Sequence, residues 1–151
     1  MDKIQFIKTD FSELVSTLQP NDMGKWGLMN AQQMIEHVAD FFKVSYEKIK
    51  FDLVTPEAML PKYKEFLLSD NEFKENTKAP VLPEKPFDVR HTSIEASVEE
   101  LRTDINNFFA FFENSNQKLS LHPVFGNLSF DEWVQLHFKH TLHHAKQFGL
   151  I

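Results

Sequence analysis

Residues 92–112 read TSIEASVEELRTDINNFFAFF, and within them Ile94, Val98, Leu101, Ile105, Phe108 and Phe112 recur at spacings of 4, 3, 4, 3 and 4. That is the period of a helix that buries one face, and it has the form of an a/d seam in a bundle. Thr92 with Glu95 makes a T-x-x-E capping box, which predicts that this helix starts at Thr92.

Working outward from this helix, the same two signals recur. Asn30 precedes a stripe of Met34, Val38, Phe41, Phe42 and Ser45, and Gln33 stands at the capping-box position. This predicts a helix from Asn30 to about Lys48–Lys50. Ser129 with Glu132 opens the last helix, which is expected to run to Phe148, with Gly149 as its C′ stop and Lys146 facing the dipole. A first amphipathic segment is read from Thr9 to Gln19, ended by Pro20. The stretch from Asn114 to Asn127 reads as a turn, through His122-Pro123 and Gly126. Residues 52–91 carry Pro56, Pro61, Pro80, Pro83 and Pro86, with room for one short helix near Lys62–Leu68. A connection that long is expected to be functional or to wrap the other elements. Four substantial helices without convincing β alternation predict an all-α four-helix bundle with a long, partly helical crossover. Residues 1–151 are expected to form one domain.

Composition excludes several function classes. Cysteine is absent, which removes disulfides, thiolate-bound zinc, iron–sulfur clusters and a cysteine nucleophile. The net charge of −6 argues against nucleic acid as a partner. No apolar run is long enough to span a membrane, and no signal-peptide pattern follows Met1, so a cytoplasmic location is expected. Sixteen phenylalanines against two tyrosines point to a dry apolar core.

Against that background the histidines stand out. His137, His140, His143 and His144 crowd the segment LHFKHTLHHAKQF, residues 136–148. At about 100° per residue, His144 lies about 40° from His140, His137 about 60° on the same side, and His143 about 60° on the other. His140 and His144 are an i, i+4 pair whose imidazoles can reach one metal ion. They share a face with Trp133, Leu136, Gln147 and Phe148. If that face points inward, a metal compensates for burying several imidazoles together. The third ligand is best sought on another core stripe, where His37 lies between Met34 and Phe41. His91 and His122 occupy loop or boundary positions and are poorer candidates.

Three segments, WGLMNAQQMIEH (Trp26–His37), HPVFGNLSFDEW (His122–Trp133) and KHTLHHAKQFG (Lys139–Gly149), resemble the DinB-like superfamily of four-helix-bundle metal proteins. The resemblance covers regions near both ends of the chain and none of residues 52–91. It implies a metal triad of one histidine from the first half and two from H-x-x-x-H on the last helix. On this chain those are His37, His140 and His144, the same three that spacing selects. Some relatives are thiol transferases using low-molecular-weight thiols, and others are isomerases or hydrolase-like.

Three histidines leave an open position on a divalent ion, zinc or nickel, as a catalytic site requires. The expected function is therefore a metal-dependent hydrolase or thiol S-transferase acting on a small molecule, low-molecular-weight thiols included. The alternative is a non-catalytic metal-binding or small-molecule-binding bundle. Asp40 is read as a carboxylate behind His37, with Gln33 orienting the ring. His137 is a candidate general base or substitute ligand, and His143 a candidate lining residue. A second stripe on the last helix, Val134, Phe138, Leu142 and Ala145, lies roughly 120° to 200° from His140. It needs a cover, which is residues 52–91, the first helix or a second subunit. The resemblance, whose members are often dimers, favours a homodimer.

Overall fold

The computed structural model describes residues 1–113, 115 and 117–151; Asn114 and Asn116, at the start of the expected turn, lie outside these. The chain is mostly helical with one small two-stranded sheet, an arrangement compatible with a helical bundle. Helix α1 runs through three consecutive segments, Lys3–Gln5, a π-helical Phe6–Asp10 and Phe11–Val15. Helix α2 is Ala31–Ser45, α3 is Leu60–Leu68 behind a 3-10 turn at Glu57–Met59, α4 is Ile94–Phe112 and α5 is Phe130–Gln147. Strands β1, Ser120–His122, and β2, Gly126–Leu128, pair antiparallel. Among the described residues no helix is long and apolar enough to cross a membrane.

The capping reads hold where the side chain and the N3 residue both fit. Asn30 Oδ1 accepts from Gln33 N at 2.8 Å, and Gln33 Oε1 accepts from Asn30 N at 3.0 Å. Ser129 and Glu132 make the same reciprocal pair at the start of α5. The box expected at Thr92 and Glu95 does not form. Ser93 is the cap instead, and its Oγ accepts from Ala96 N at 3.1 Å, which leaves Glu95 one position short of N3.

Two helix boundaries also move. The first helix begins near Lys3 because the Asp2 carboxylate accepts from Gln5 N, and it stops at Val15, before Pro20. There Ser16 and Thr17 donate their hydroxyls to the Glu13 and Leu14 carbonyls, satisfying the helix end locally. Helix α2 stops at Ser45, short of Lys48, because Glu47 takes a left-handed conformation with φ 67°. The expected turn holds a hairpin. Gly126, at φ 84°, reverses the chain, and His122 Nδ1 accepts from the backbone N–H groups of Val124 and Phe125 at 3.0 and 3.3 Å.

The α2 stripe read from the sequence is buried throughout, and so is the α4 seam. Phe42 and Phe108 meet between these helices with ring centroids 5.9 Å apart. The second stripe of α5 is covered inside the chain. Phe6 packs edge-on against Phe138 at 5.6 Å, and Lys3 lies over the same ring while donating to Gln135 Oε1. Helix α1 thus covers Phe138 of this stripe, while Phe138 and Leu142 stay half-buried.

Residues 52–91 wrap the remaining side and are tied at both ends. Val54 N donates to Pro123 O at 2.8 Å, and Lys139 Nζ donates to the Ser69 and Asn71 carbonyls. At the far end Gln33 Nε2 donates to Phe87 O, and Arg90 N donates to the buried Glu36 carboxylate at 2.7 Å.

Candidate metal centre

Helix α2 supplies His37 and helix α5 supplies His140 and His144. The capping box at Asn30 sets the start of α2, so His37 falls two turns in, on the face that meets α5. The i, i+4 relation stacks His140 and His144 on one face of α5. His140 Nε2 lies 3.0 Å from His37 Nε2 and 3.0 Å from His144 Nε2. One nitrogen from each ring lies within 4.8 Å of the others, close enough to hold one metal ion.

This geometry sets a hydrogen-bonding conflict. A neutral imidazole nitrogen carries either a proton or a lone pair. One proton on His140 Nε2 makes one well-directed hydrogen bond, so its second 3.0 Å neighbour is left poorly matched. A cation between three lone pairs removes the conflict. Three nitrogens at the ~2.0–2.1 Å typical of zinc–imidazole bonds would stand roughly 3.3 Å apart, close to the spacing seen here. The donor set fits a divalent metal.

Electrostatics favour the neutral rings that ligation needs. Burial, with His143 nearby, lowers His37 to about 4. Burial lowers His140 and His144 well below the usual histidine range, and each is pushed further by its neighbouring imidazoles. The tautomer of His144 is set by Gln147. Gln147 Nε2 donates to Trp26 O at 2.9 Å, so its Oε1, 2.7 Å from His144 Nδ1, is the acceptor. His144 therefore carries its proton on Nδ1 and turns the Nε2 lone pair toward the cluster. Gly24 and Gly27 let the Trp26 loop close on Gln147. A Cβ at Gly24 would stand 2.7 Å from Gln147 Cγ, and Gly27 adopts φ 82°.

The other expected site residues fare differently. His137 is sealed in the core, 2% exposed and stacked on Phe42 at 3.8 Å. Its Nε2 is buried without a hydrogen-bond partner among the described residues, and burial lowers its pKa well below the usual value. It stands outside the three-nitrogen cluster but belongs to the wall of the same cavity. Asp40 does not support His37. Its carboxylate accepts from both terminal nitrogens of Arg90 at 3.2 and 3.1 Å, with Lys43 beside it, and burial raises its pKa against the pull of Arg90. Gln33 does not orient His37 either, because its amide is used by the Asn30 cap and the Phe87 carbonyl. His143 lies beside the cluster, its ring 5.2 Å from that of His144 and edge-on to Phe73 at 6.0 Å, and burial lowers its pKa. His91 sits 3.3 Å from Glu100 and His122 braces the hairpin, both apart from the triad.

The cluster opens on a cavity of about 1520 Å³ between the helices and residues 52–91. Its wall includes His37, His140, His143 and His144. Gln147 was the residue that sequence reasoning passed over. Its signal was present, since it lies i+3 from His144 on the same face. The Trp26 carbonyl that fixes its amide lies 121 residues away, and nothing local betrays it.

No protein-family model matches this chain, and comparison with curated proteins and with solved structures finds no match either.

Proposed function

We propose that this chain is a DinB-like helical bundle acting as a metal-dependent enzyme, with zinc or nickel held by His37, His140 and His144. The convergence of three Nε2 atoms on one point at the wall of a large cavity carries this reading. The three segments that resemble the superfamily support it, since they supply the triad, the Trp26 loop that fixes Gln147, and the hairpin that packs on α5 through Trp133 Nε1 and Ser120 O.

A divalent ion there supplies Lewis acidity on its open side. The chain's own residues do the rest. Gln147 holds the proton on His144 Nδ1. The apolar side chains around the cluster lower the local polarity, which strengthens charge interactions inside. His143 lines the cavity beside the triad, where a neutral ring nitrogen can accept a proton from a nucleophile. With Asp40 bound to Arg90, His143 is the base candidate taken here, and His137, which lines the same cavity, is the second.

A hydrolytic reaction is the first reading and transfer of an anionic low-molecular-weight thiol the second. Arg90, the one arginine of the cavity wall, is taken up by Asp40 and Glu100, whereas Lys62, Lys74, Lys78 and Lys85 also line the cavity and suit an anionic thiol. The test is turnover of p-nitrophenyl esters by metal-stripped and zinc- or nickel-reloaded protein, with His143→Gln in parallel. Metal-dependent turnover that falls at least tenfold in His143→Gln supports the reading. Equal turnover with and without metal contradicts it.

A further inference from the structure

The cavity says more about the substrate than the histidines do. Its volume of about 1520 Å³ exceeds the roughly 300–1,000 Å³ of an ordinary small-molecule pocket. The wall is apolar over most of its length. Phe41 and Val44 come from α2, Phe66 from α3, and Phe73 and Leu82 from the wrapping segment. The ring nitrogens of the triad and His143 belong to the same wall.

Some of the charges that touch the cavity are paired, while Lys62, Lys74, Lys78 and Lys85 also line it. Arg90 pairs with Asp40 and Glu100, Glu72 pairs with Lys146, and buried Glu36 accepts from Ser97 Oγ and two backbone N–H groups. Exposed apolar side chains line the cavity beside these lysines. Leu28, Val54, Met59 and Phe87 line the cavity and remain 63%, 49%, 39% and 63% exposed. Exposed apolar side chains grouped around a cavity mark a binding site.

We propose that the site takes an elongated apolar molecule of the long-chain acyl class, with a single oxygen-bearing head group at His37, His140 and His144 and its chain lying beneath residues 52–91. This rests on the metal reading above for the head group, and on the cavity alone for the chain. The wrapping segment is built to admit such a chain. It is tied at Ser69–Glu72 and at Phe87–His91, whereas the hydrogen bonds found for residues 74–86 among the described residues stay within the segment.

The experiment is calorimetric titration of the zinc-loaded full chain with butano-, hexano-, octano- and decanohydroxamic acid. Affinity is expected to rise about two- to fourfold per added methylene, as burial of apolar surface requires. Leu82→Glu, which puts a charge on the wall, is expected to flatten that rise. His140→Ala is expected to weaken all four probes by a common factor and keep the rise. A flat series in wild type that binds one zinc overturns the acyl class and leaves the metal reading standing. A rising series in a protein that binds no metal overturns the metal reading and the placement of the head group, and upholds the acyl chain.

Discussion

The side-chain amide of Gln147 sits between His144 and the Trp26 loop, with Oε1 2.7 Å from His144 Nδ1 and Nε2 2.9 Å from the Trp26 carbonyl. It therefore sets which nitrogen of a candidate ligand carries the lone pair. Removing such a partner costs about 10–100-fold in metal affinity. Gln147→Leu is expected to lose affinity by that factor in competition with a chelator, and Gln147→Glu to retain most of it. Melting of the metal-free forms separates this from simple destabilisation. Unchanged affinity in Gln147→Leu would remove Gln147 from the site.

Metal binding should also register in stability. A ligand present at about a hundred times its Kd stabilises the folded state by about 2.7 kcal/mol. For a chain of this size that is a rise in Tm of roughly 5–10 °C. Metal-stripped protein is expected to melt lower by that amount yet still cooperatively, because the Phe-rich core between α2 and α4 does not depend on the cluster. Identical melting before and after verified stripping would contradict the account.

How far the sequence carried this picture depends on the range of the interaction. Asn30 with Gln33 and Ser129 with Glu132 are contacts three residues apart, so they were readable, and with them the phase of the two helices that bring the triad together. The inward faces followed from period alone. The partners of Asp40 and His137 were not legible because their environments come from afar. Arg90, which takes up Asp40, is fifty residues distant in sequence, and the rings that seal His137 come from α2 and α4 as well as from α5. The hairpin escaped notice because its strands, Ser120–His122 and Gly126–Leu128, are too short to show alternation.

His122 gives the fold a defined acid sensitivity. Burial lowers its pKa from 6.5 to about 3, while both backbone donors at Nδ1 require the neutral ring. The unfolded chain takes up a proton as pH falls below 6.5 and the folded chain does not until about 3, so this residue removes stability across that window. His122→Asn keeps an acceptor and cannot titrate. Between pH 7 and pH 5 it is expected to lose about 2 kcal/mol less stability than wild type in urea unfolding. Equal losses would show that His122 is not buried neutral.

Phe138 is covered by Phe6 of the same chain. Phe138→Ala is accordingly expected to lower stability by about 1–2 kcal/mol, the worth of a largely buried aromatic ring, and to leave the molecular mass in light scattering unchanged. A halved mass with unchanged stability would place this stripe at a subunit interface instead.

The central claim is that His37, His140 and His144 hold one metal ion, and elemental analysis of untagged protein tests it most directly. Wild type is expected to carry close to one zinc or nickel per chain. His140→Ala, which removes the nitrogen lying 3.0 Å from both of the others, is expected to carry almost none while keeping its helical circular dichroism. Full metal content in a folded His140→Ala would contradict the assignment.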